Sequence, residues 1–526
     1  MTKFLAKSLL LATVAGLSAI SLANAADLPV KAKAVEYVKI CSLYGAGFYY
    51  IPGTDTCIKL GGYLRVETAL GTNTDYGWAS GNPAGAHNQL SNYYTARSRE
   101  DFNIDTRTAT EYGVVRTYFD ATFSWTTGGY TGIGNTPNAT IYSGSAAALN
   151  SAGAIVGGIG NPNDGGIAGG ALGVYYAFIQ FAGFTMGKAV SQFDTPWVNY
   201  PGNTFDHLVG GGGTVTGVNQ FTYTAQFGNG VSLALSAQDQ VAYMTAGVQN
   251  LTGLSTAGLL GGAVGVNNIG GSRSPDLIAA LRVDQAWGLF QASFAAHLNT
   301  TGYYGATEIT GHPDDKWGWA AQLALSIKNI PTGAGDTINL QGVYTDGATR
   351  YNFQSLAPVN YLIYGGTNVP GLYQSIGVAS APDTVFFGTN AANGSQQETI
   401  KTWGFRGAYT HNWDPYWNTA IYGAYASVSY GNLGKNTICA FIAAAQPGVT
   451  NCNPDFNIGQ FGIITRWTPV KNLTFSADFT WSRLDQKYAG VFNAAQNNAS
   501  AKPGGAVYEI KDQDSLTLLL RAQRNF

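Results

Sequence analysis

Read two residues at a time, the chain separates into segments whose alternate positions differ in polarity. The clearest begins at Leu473, with Leu473, Phe475, Ala477, Phe479 and Trp481 on one face and Thr474, Ser476, Asp478, Thr480 and Ser482 on the other. Successive side chains of a strand point to opposite faces, so the pattern predicts a strand with one apolar and one wetted side. Asp478 cannot face hydrocarbon cheaply, which puts water on its side. The same alternation sets Trp317, Trp319, Ala321, Leu323, Leu325 and Ile327 against Lys316, Gln322, Ser326 and Lys328. It also sets Phe221, Tyr223, Ala225 and Phe227 against Gln220, Thr222, Thr224 and Gln226.

One such segment would fit any half-buried sheet; repetition changes the reading. About sixteen segments carry the pattern, at roughly 58–70, 98–109, 111–126, 171–182, 184–192, 217–227, 230–240, 275–285, 288–299, 315–328, 336–346, 398–412, 416–430, 456–468, 472–485 and 512–526. Most reach the ~9–11 residues that a tilted membrane-spanning strand needs. Short turns such as Ala182-Gly183, Gly228-Asn229-Gly230, Ala286-Trp287, Asp414-Pro415 and Val470-Lys471-Asn472 join alternate ends. Long stretches rich in Gly, Asn, Ser and Ala join the others, at 127–170, 241–274, 347–397, 431–455 and 486–511. Short turns on one side and long loops on the other mark an antiparallel transmembrane β-barrel. Trp287, Trp413, Trp417, Trp467 and Trp481 lie near strand ends, where an aromatic girdle belongs. The last segment ends in Phe526 on the face of Leu516, Leu518, Leu520 and Ala522, with Ser515, Thr517, Arg521, Gln523 and Asn525 opposite. Arg524 breaks that face close to the interface, where a long cation can snorkel.

The start of the chain reads as a secretory signal: Lys3 and Lys7, an apolar run from Leu9 to Ala19, then Ala23-Asn24-Ala25. Residues 1–25 are therefore expected to be a signal peptide, 26–57 a lead-in segment and 58–526 the barrel. Beyond the signal no apolar run has the ~18 residues of a membrane helix, so the mature chain crosses a bilayer as a barrel or not at all. Composition agrees: 69 Gly, 31 Tyr, 25 Phe and 11 Trp accompany only 11% charged residues, against about 25% in globular proteins. A mean hydropathy of -0.02 suits a wall that faces lipid outside and water inside. With Lys3 and Lys7 removed from 28 basic residues, 26 stand against 30 acidic ones, for a charge of -4. That balance gives no concentrated basic surface for nucleic acid. Cys41, Cys57, Cys439 and Cys452 form two sequence-local pairs in a chain bound for an oxidising compartment. Bridges 41–57 and 439–452 are expected, although four cysteines permit three connectivities.

In a pore, function lies with lumen-facing charge. Alternation turns Arg97, Arg99, Asp101, Asp105 and Arg107 inward from one strand, Arg116 and Asp120 from the next, and Lys59, Arg65 and Glu67 from the first. Two readings stand side by side: a basic wall that selects solutes, or arginines that pair with Glu67, Asp101 and Asp105 and stiffen the barrel. Loop 192–216, with Phe193, Pro196, Trp197, Tyr200, Pro201 and Phe205, is short enough to fold into the lumen; it is equally readable as a surface loop. Folded inward, Asp194 and Asp206 would face Arg65, Arg97, Arg99, Arg107 and Arg116 across a transverse field. No catalytic, metal or cofactor motif is found: the five His show no metal spacing, there is no G-x-S-x-G elbow, and GFTMGK at 183–188 is one residue short of a phosphate loop.

Three stretches resemble the alphaproteobacterial general porins of Brucella and rhizobial outer membranes. They are VEYVKICSLYGAGFYYIPGTDTCIKLGGYLRVE at 35–67, AFIQFAGFTMGKAVSQFD at 177–194 and LRAQRNF at 520–526. The resemblance implies a sixteen-stranded homotrimeric barrel in the Gram-negative outer membrane, among lipid and lipopolysaccharide. It also implies a third external loop, beginning here at Ser191 to Asp194, that constricts the pore, and passive diffusion of small hydrophilic solutes and ions. A sugar-specific channel would instead need an aromatic slide, for which Tyr63, Tyr112 and Tyr118 are the inward candidates. A lipid-interface hydrolase would need a Ser/His pair such as Ser293 and His297, which alternation turns inward. A soluble adhesin would need no membrane.

Overall fold

The computed structural model describes residues 39–71, 94–126, 148–149, 155–156, 171–195, 208–212, 217–240, 245–259, 263–353, 359–493 and 506–526. Sixteen long strands form the barrel. In order they are β1 (Thr56–Gly71), β2 (Tyr94–Thr110), β3 (Gly113–Thr126), β4 (Ala171–Phe181), β5 (Phe184–Ala189), β6 (Val218–Gly228), β7 (Val231–Gln238) and β8 (Asp276–Gln285). They continue as β9 (Gly288–Asn299), β10 (Lys316–Lys328), β11 (Thr337–Asp346), β12 (Lys401–Asn412), β13 (Trp417–Ser429), β14 (Phe456–Val470), β15 (Leu473–Gln486) and β16 (Gln513–Asn525). Each strand pairs antiparallel with the next, and β16 returns to β1 from Tyr63↔Asn525 to Gly71↔Thr517, closing the sheet. All sixteen expected segments are strands of this barrel. β5 stops at Ala189 rather than near 192, because the chain there leaves the wall.

Positive backbone φ makes the tight turns possible. Ala182 and Gly183 have φ of 49° and 86°, and Gly228, Asn229 and Gly230 have 82°, 48° and 72°. Such turns match the right-handed twist of a hairpin. Tyr112 lies in the turn between β2 and β3 and is 74% exposed. It is therefore not a lumen residue, because the alternation ends where the hairpin turns.

Outside, the barrel presents an apolar belt that includes Leu64, Phe123, Ile179, Leu281, Leu323, Phe405, Ile463, Phe479 and Leu520. Trp287, Trp413, Trp417 and Trp467 border it on the short-turn side, while Trp317, Trp319 and Trp403 do so on the long-loop side. The described part of the lead-in, from residue 39, folds back on the periplasmic mouth. Tyr49–Tyr50 pairs with β1, Phe48 is buried, and Cys41 is bonded to Cys57.

The described parts of the long loops between β7 and β8, β11 and β12, β13 and β14, and β15 and β16 carry short strands and a helix. Val248–Asn250 runs parallel to Thr384–Phe386, between Val266–Asn267 and Glu398–Thr399. A second loop sheet joins Asn360–Gly365, Gln374–Ser380, Val507–Ile510, Ala489–Asn493 and Val449–Asn451. Helix α1 (Asn432–Ala445) starts where the Glu398 carboxylate accepts the N–H groups of Leu433 and Gly434, and Cys439 is bonded to Cys452. A negative side chain at a helix start satisfies donors that the helix leaves open. Tyr361, Leu362, Ile363 and Tyr364 from these loops form one apolar core with Ala420, Tyr422, Ala424, Ala426, Phe456, Ile458 and Leu484 of β13–β15. The loops thus fill one side of the lumen. Most of 127–170, and all of residues 1–38, lie outside the described residues.

Candidate functional site

The inner faces of β1–β3 and β16 form a charged wall. Barrel closure brings Arg521 of β16 to Glu67 of β1, with Nε 2.7 Å from Oε2. Arg97 of β2 donates from Nε to Oε1 of the same carboxylate at 2.5 Å. Glu67 is buried between the two guanidinium groups. On the periplasmic side Asp105 takes Nη2 of Arg107 and of Arg116, each at 3.0 Å. Arg107 and Arg116 face each other directly in the β2–β3 register. Charge repulsion between such neighbours is offset by the shared carboxylate.

Aromatic rings hold the arginines flat. The Arg65 guanidinium lies 4.4 Å from the Tyr63 ring centroid, Arg99 5.7 Å from Tyr175, and Arg107 4.9 Å from Phe48 of the lead-in. Arg116 lies 5.1 Å from Tyr118 and 5.5 Å from Phe178. Cation–π contact leaves the guanidinium edge free to donate. Arg65 uses it on Gln523, Arg99 on Ser124 and Arg116 on Gln180. Arg107 and Arg116 retain side-chain exposures of 29% and 28%, so both reach water. Arg65, Arg97, Arg99, Arg107 and Arg116 therefore share one wall, and each is hydrogen-bonded. Lys59, these five arginines and Arg521 make seven cations; Glu67, Asp101, Asp105 and Asp120 make four anions on the same face. Arginine pairing and an excess of cations coexist on this face.

The described parts of loop 3, residues 190–195 and 208–212, lie against the far wall. Ser191 donates to Gln238 at 2.7 Å, and the carbonyls of Phe193 and Asp194 accept from Gln322 and Gln291 at 2.9 and 2.8 Å. Phe193 is fully buried edge-on against Tyr351, with centroids 4.5 Å apart. Further along, the Val209 N–H donates to Gln460, the Gly212 N–H donates to Gln322, and the Gly212 carbonyl accepts from Gln341 and Arg406. Gly210, at φ 93°, approaches so closely that a Cβ would sit 2.3 Å from the Phe405 carbonyl oxygen. Asp194 is only 5% exposed within this layer, its backbone carbonyl held by Gln291. Asp206 lies outside the described residues.

Behind loop 3, Asp276 of β8 joins His297 Nδ1 at 2.8 Å, the Tyr351 hydroxyl at 2.5 Å and Gln240 at 2.8 Å. Asp383 accepts the N–H groups of Thr349, Ala246 and Gly247, tying two loops together. Burial pushes the Asp383 carboxyl above its usual range, although His297 and these N–H groups pull it down. Burial, with Asp276 beside it, holds the Tyr351 hydroxyl well above the ordinary tyrosine range. His297 and Ser293 both face inward and are buried, away from lipid. Sequence reasoning missed Arg521 as a site residue because its partner lies 454 positions away. It missed Arg406, fully buried in the far wall, because loop 3 supplies its acceptors.

Comparison with known proteins agrees with this architecture. Porin Omp2b of Brucella suis biovar 1 is 28% identical over 355 residues, covering 65% of this chain and 84% of that protein. Omp2b of Brucella melitensis biotype 1 is 29% identical over 360 residues, with the same coverage. Among solved structures, the outer membrane channel DcaP of Acinetobacter baumannii matches 91% of this chain and 99% of its own, at a TM-score of 0.53 and 14% identity, a likeness of fold. A sequence profile described as the Porin subfamily matches residues 27–519, and the chain, an outer-membrane β-barrel, belongs to that family.

Proposed function

We propose that this outer-membrane porin passes small hydrophilic solutes and ions along a passage bordered by its arginine wall, and that this wall sets the charge preference. Water-filled passive diffusion is the activity of the chain as a porin. The observation that carries the finer reading is the asymmetry of the lumen. Loops cover the inner faces of β8–β15, whereas Arg65, Arg99, Arg107 and Arg116 on the other side keep partial exposure. A face with more cations than anions, beside low-dielectric walls, concentrates anions. In this reading the backbone at Asp194 anchors loop 3 to the far wall. We also infer that the chain works as a homotrimer surrounded by lipid and lipopolysaccharide.

The test is single-channel recording in a planar bilayer under a salt gradient. The reading expects steps in threes and a reversal potential of anion-preferring sign. A cation preference of the wild type overturns the role given to the arginine wall, and absence of conductance overturns the channel.

A further inference from the structure

One irregularity in the wall turns an extra aromatic ring into the lumen. Between β3 and β4 the register runs Asp120↔Tyr176 and then Ala121↔Val174, which leaves Tyr175 as an additional residue on β4. A bulge of this kind re-aims a side chain and is over-represented beside functional sites. In an unbroken strand Tyr175, adjacent to inward Tyr176, would point at lipid. Here its ring lies 5.7 Å from the Arg99 guanidinium on the inner face, and its carbonyl accepts the N–H of Gly217, just before β6, at 2.9 Å. Gly173 borders the ring, where a Cβ would sit 3.5 Å from Tyr175 Cε1, so the missing side chain leaves that side of the ring uncovered.

Arg99 has a second unusual neighbour, because it faces Arg65 directly in the β1–β2 register. Like charges directly opposite are destabilising. Elsewhere on this wall a carboxylate compensates: Arg107 and Arg116 share Asp105, and Arg97 and Arg521 share Glu67. Arg65 and Arg99 join no ion pair among the described residues. Their Nε groups go to the neutral acceptors Gln523 and Ser124, and Arg99 also bonds the Tyr63 hydroxyl. Asp101, the next inward residue of β2, accepts instead from Asn103. The Tyr63 ring lies 4.4 Å from the Arg65 guanidinium, and all four of these side chains keep partial exposure.

We propose that Arg65 and Arg99, with the rings of Tyr63 and Tyr175, form a saturable site in the lumen for aromatic carboxylates. The inference rests on the arginine-wall reading above and names the solute class that the wall selects. One carboxylate between the two guanidinium groups supplies the counter-charge that the neighbouring arginine pairs obtain from Asp105 and Glu67, through charge-assisted hydrogen bonds. A flat ring attached to that carboxylate continues over Tyr175, which the bulge has brought inward, in an offset stack. A small anion meets only the first half of the site, and an uncharged ring only the second. Asp101 and Asp120 lie on the periplasmic side of the arginine pair, so their charge holds a carboxylate at the arginines.

The test is block of single-channel chloride current through the full-length, detergent-extracted protein in a planar bilayer, with benzoate, cyclohexanecarboxylate, acetate and benzamide as probes. Benzoate is expected to interrupt the current saturably and at a lower half-blocking concentration than cyclohexanecarboxylate, while acetate and benzamide do not block at that concentration. Arg99→Ser should raise the half-blocking concentration of benzoate about tenfold, the loss that goes with one charged hydrogen-bond partner. Tyr175→Ala should raise it several-fold and erase the advantage over cyclohexanecarboxylate. Heat-shifted gel mobility shows that each variant barrel is folded, and the four probes on the wild type stand without the variants. An anion-preferring wild type that benzoate does not block, or that acetate or cyclohexanecarboxylate blocks equally well, overturns this site alone, as do folded variants blocked like the wild type. A cation-preferring wild type overturns the arginine-wall reading and the site with it.

Discussion

The two walls of the lumen solve the same problem differently. On β1–β3 and β16, charged side chains satisfy one another in clusters, Glu67 buried between Arg97 and Arg521, and Asp105 between Arg107 and Arg116, which stay within reach of water. On β8–β15 the inward polar groups Gln291, Gln322, Gln341, Arg406 and Gln460 are buried and bonded to loop backbone. A side chain that completes its hydrogen bonds within its own wall leaves the lumen open beside it. One that spends them on another segment's main chain fixes that segment in place. In the proposed reading the first wall acts on a passing solute, while the second holds the described part of loop 3 in place.

The sharpest way to break this contrast is to remove a buried carboxylate from the far wall. Asp276→Ala leaves His297 and Tyr351 without their common partner, and loss of one member of a buried pair costs about 3–5 kcal/mol. A lowered unfolding temperature by heat-modifiable gel mobility, with noisier single-channel current from loosened loops, is expected; an unchanged melt would show that this cluster does not hold the loops. Next in size is the arginine wall itself. A unit charge at 4 Å is worth about 1 kcal/mol in water, roughly fivefold in local ion concentration. Replacing Arg65, Arg99 and Arg116 by Ser should therefore shift the reversal potential towards cations by a few-fold in permeability ratio, with little change in the melt. If the melt falls and selectivity stays, the arginines are structural alone. Salt sharpens the same point, because the Debye length falls from about 10 Å at 0.1 M to about 3 Å at 1 M. Wild-type selectivity should fade over that range, while a conductance asymmetry caused by shape would not.

The smallest effect is expected at the periplasmic turn between β10 and β11. Burial raises the Asp336 carboxyl, but hydrogen bonds from Thr332, the Asn412 N–H, His411 and Tyr409 outweigh it and hold the group well below the usual carboxylate range. A carboxyl depressed in the folded state contributes stability above its unfolded pKa of about 3.9, and that contribution fades as pH falls through the folded value. Asp336→Asn should narrow the difference in melting temperature between neutral and strongly acid solution, leaving selectivity untouched. An identical acid response in the variant would remove Asp336 as a source of acid sensitivity.

Much of the barrel was legible because strand faces carry a local code. Leu473–Trp481 against Thr474–Ser482 needs only neighbouring residues to be read, and both cysteine pairs close over short sequence separations of 16 and 13 residues. The far wall was less legible, although it leaves a trace. In β13 the outward Trp417, Ile421 and Tyr425 alternate with inward Ala420, Tyr422, Ala424, Ala426 and Val428, so both faces are apolar. A strand wetted on one side would not carry that pattern; here the inward face meets Tyr361 and Phe456 in the loop core. The turn position of Tyr112 and the burial of Asp194 show the opposite limit, since alternation says nothing once the chain leaves the wall.

The sequence by itself determined the strands, their faces, the hairpins and the local cysteine pairs, because each depends on period-two polarity or on contacts a few residues apart. Only the tertiary structure decided that Arg521 reaches Glu67, that loop 3 lies on β9–β14, and that Gly/Ser/Asn-rich loops form sheets and a core. Those outcomes depend on chain closure and on backbone groups finding acceptors hundreds of residues away, which no local pattern of polarity encodes.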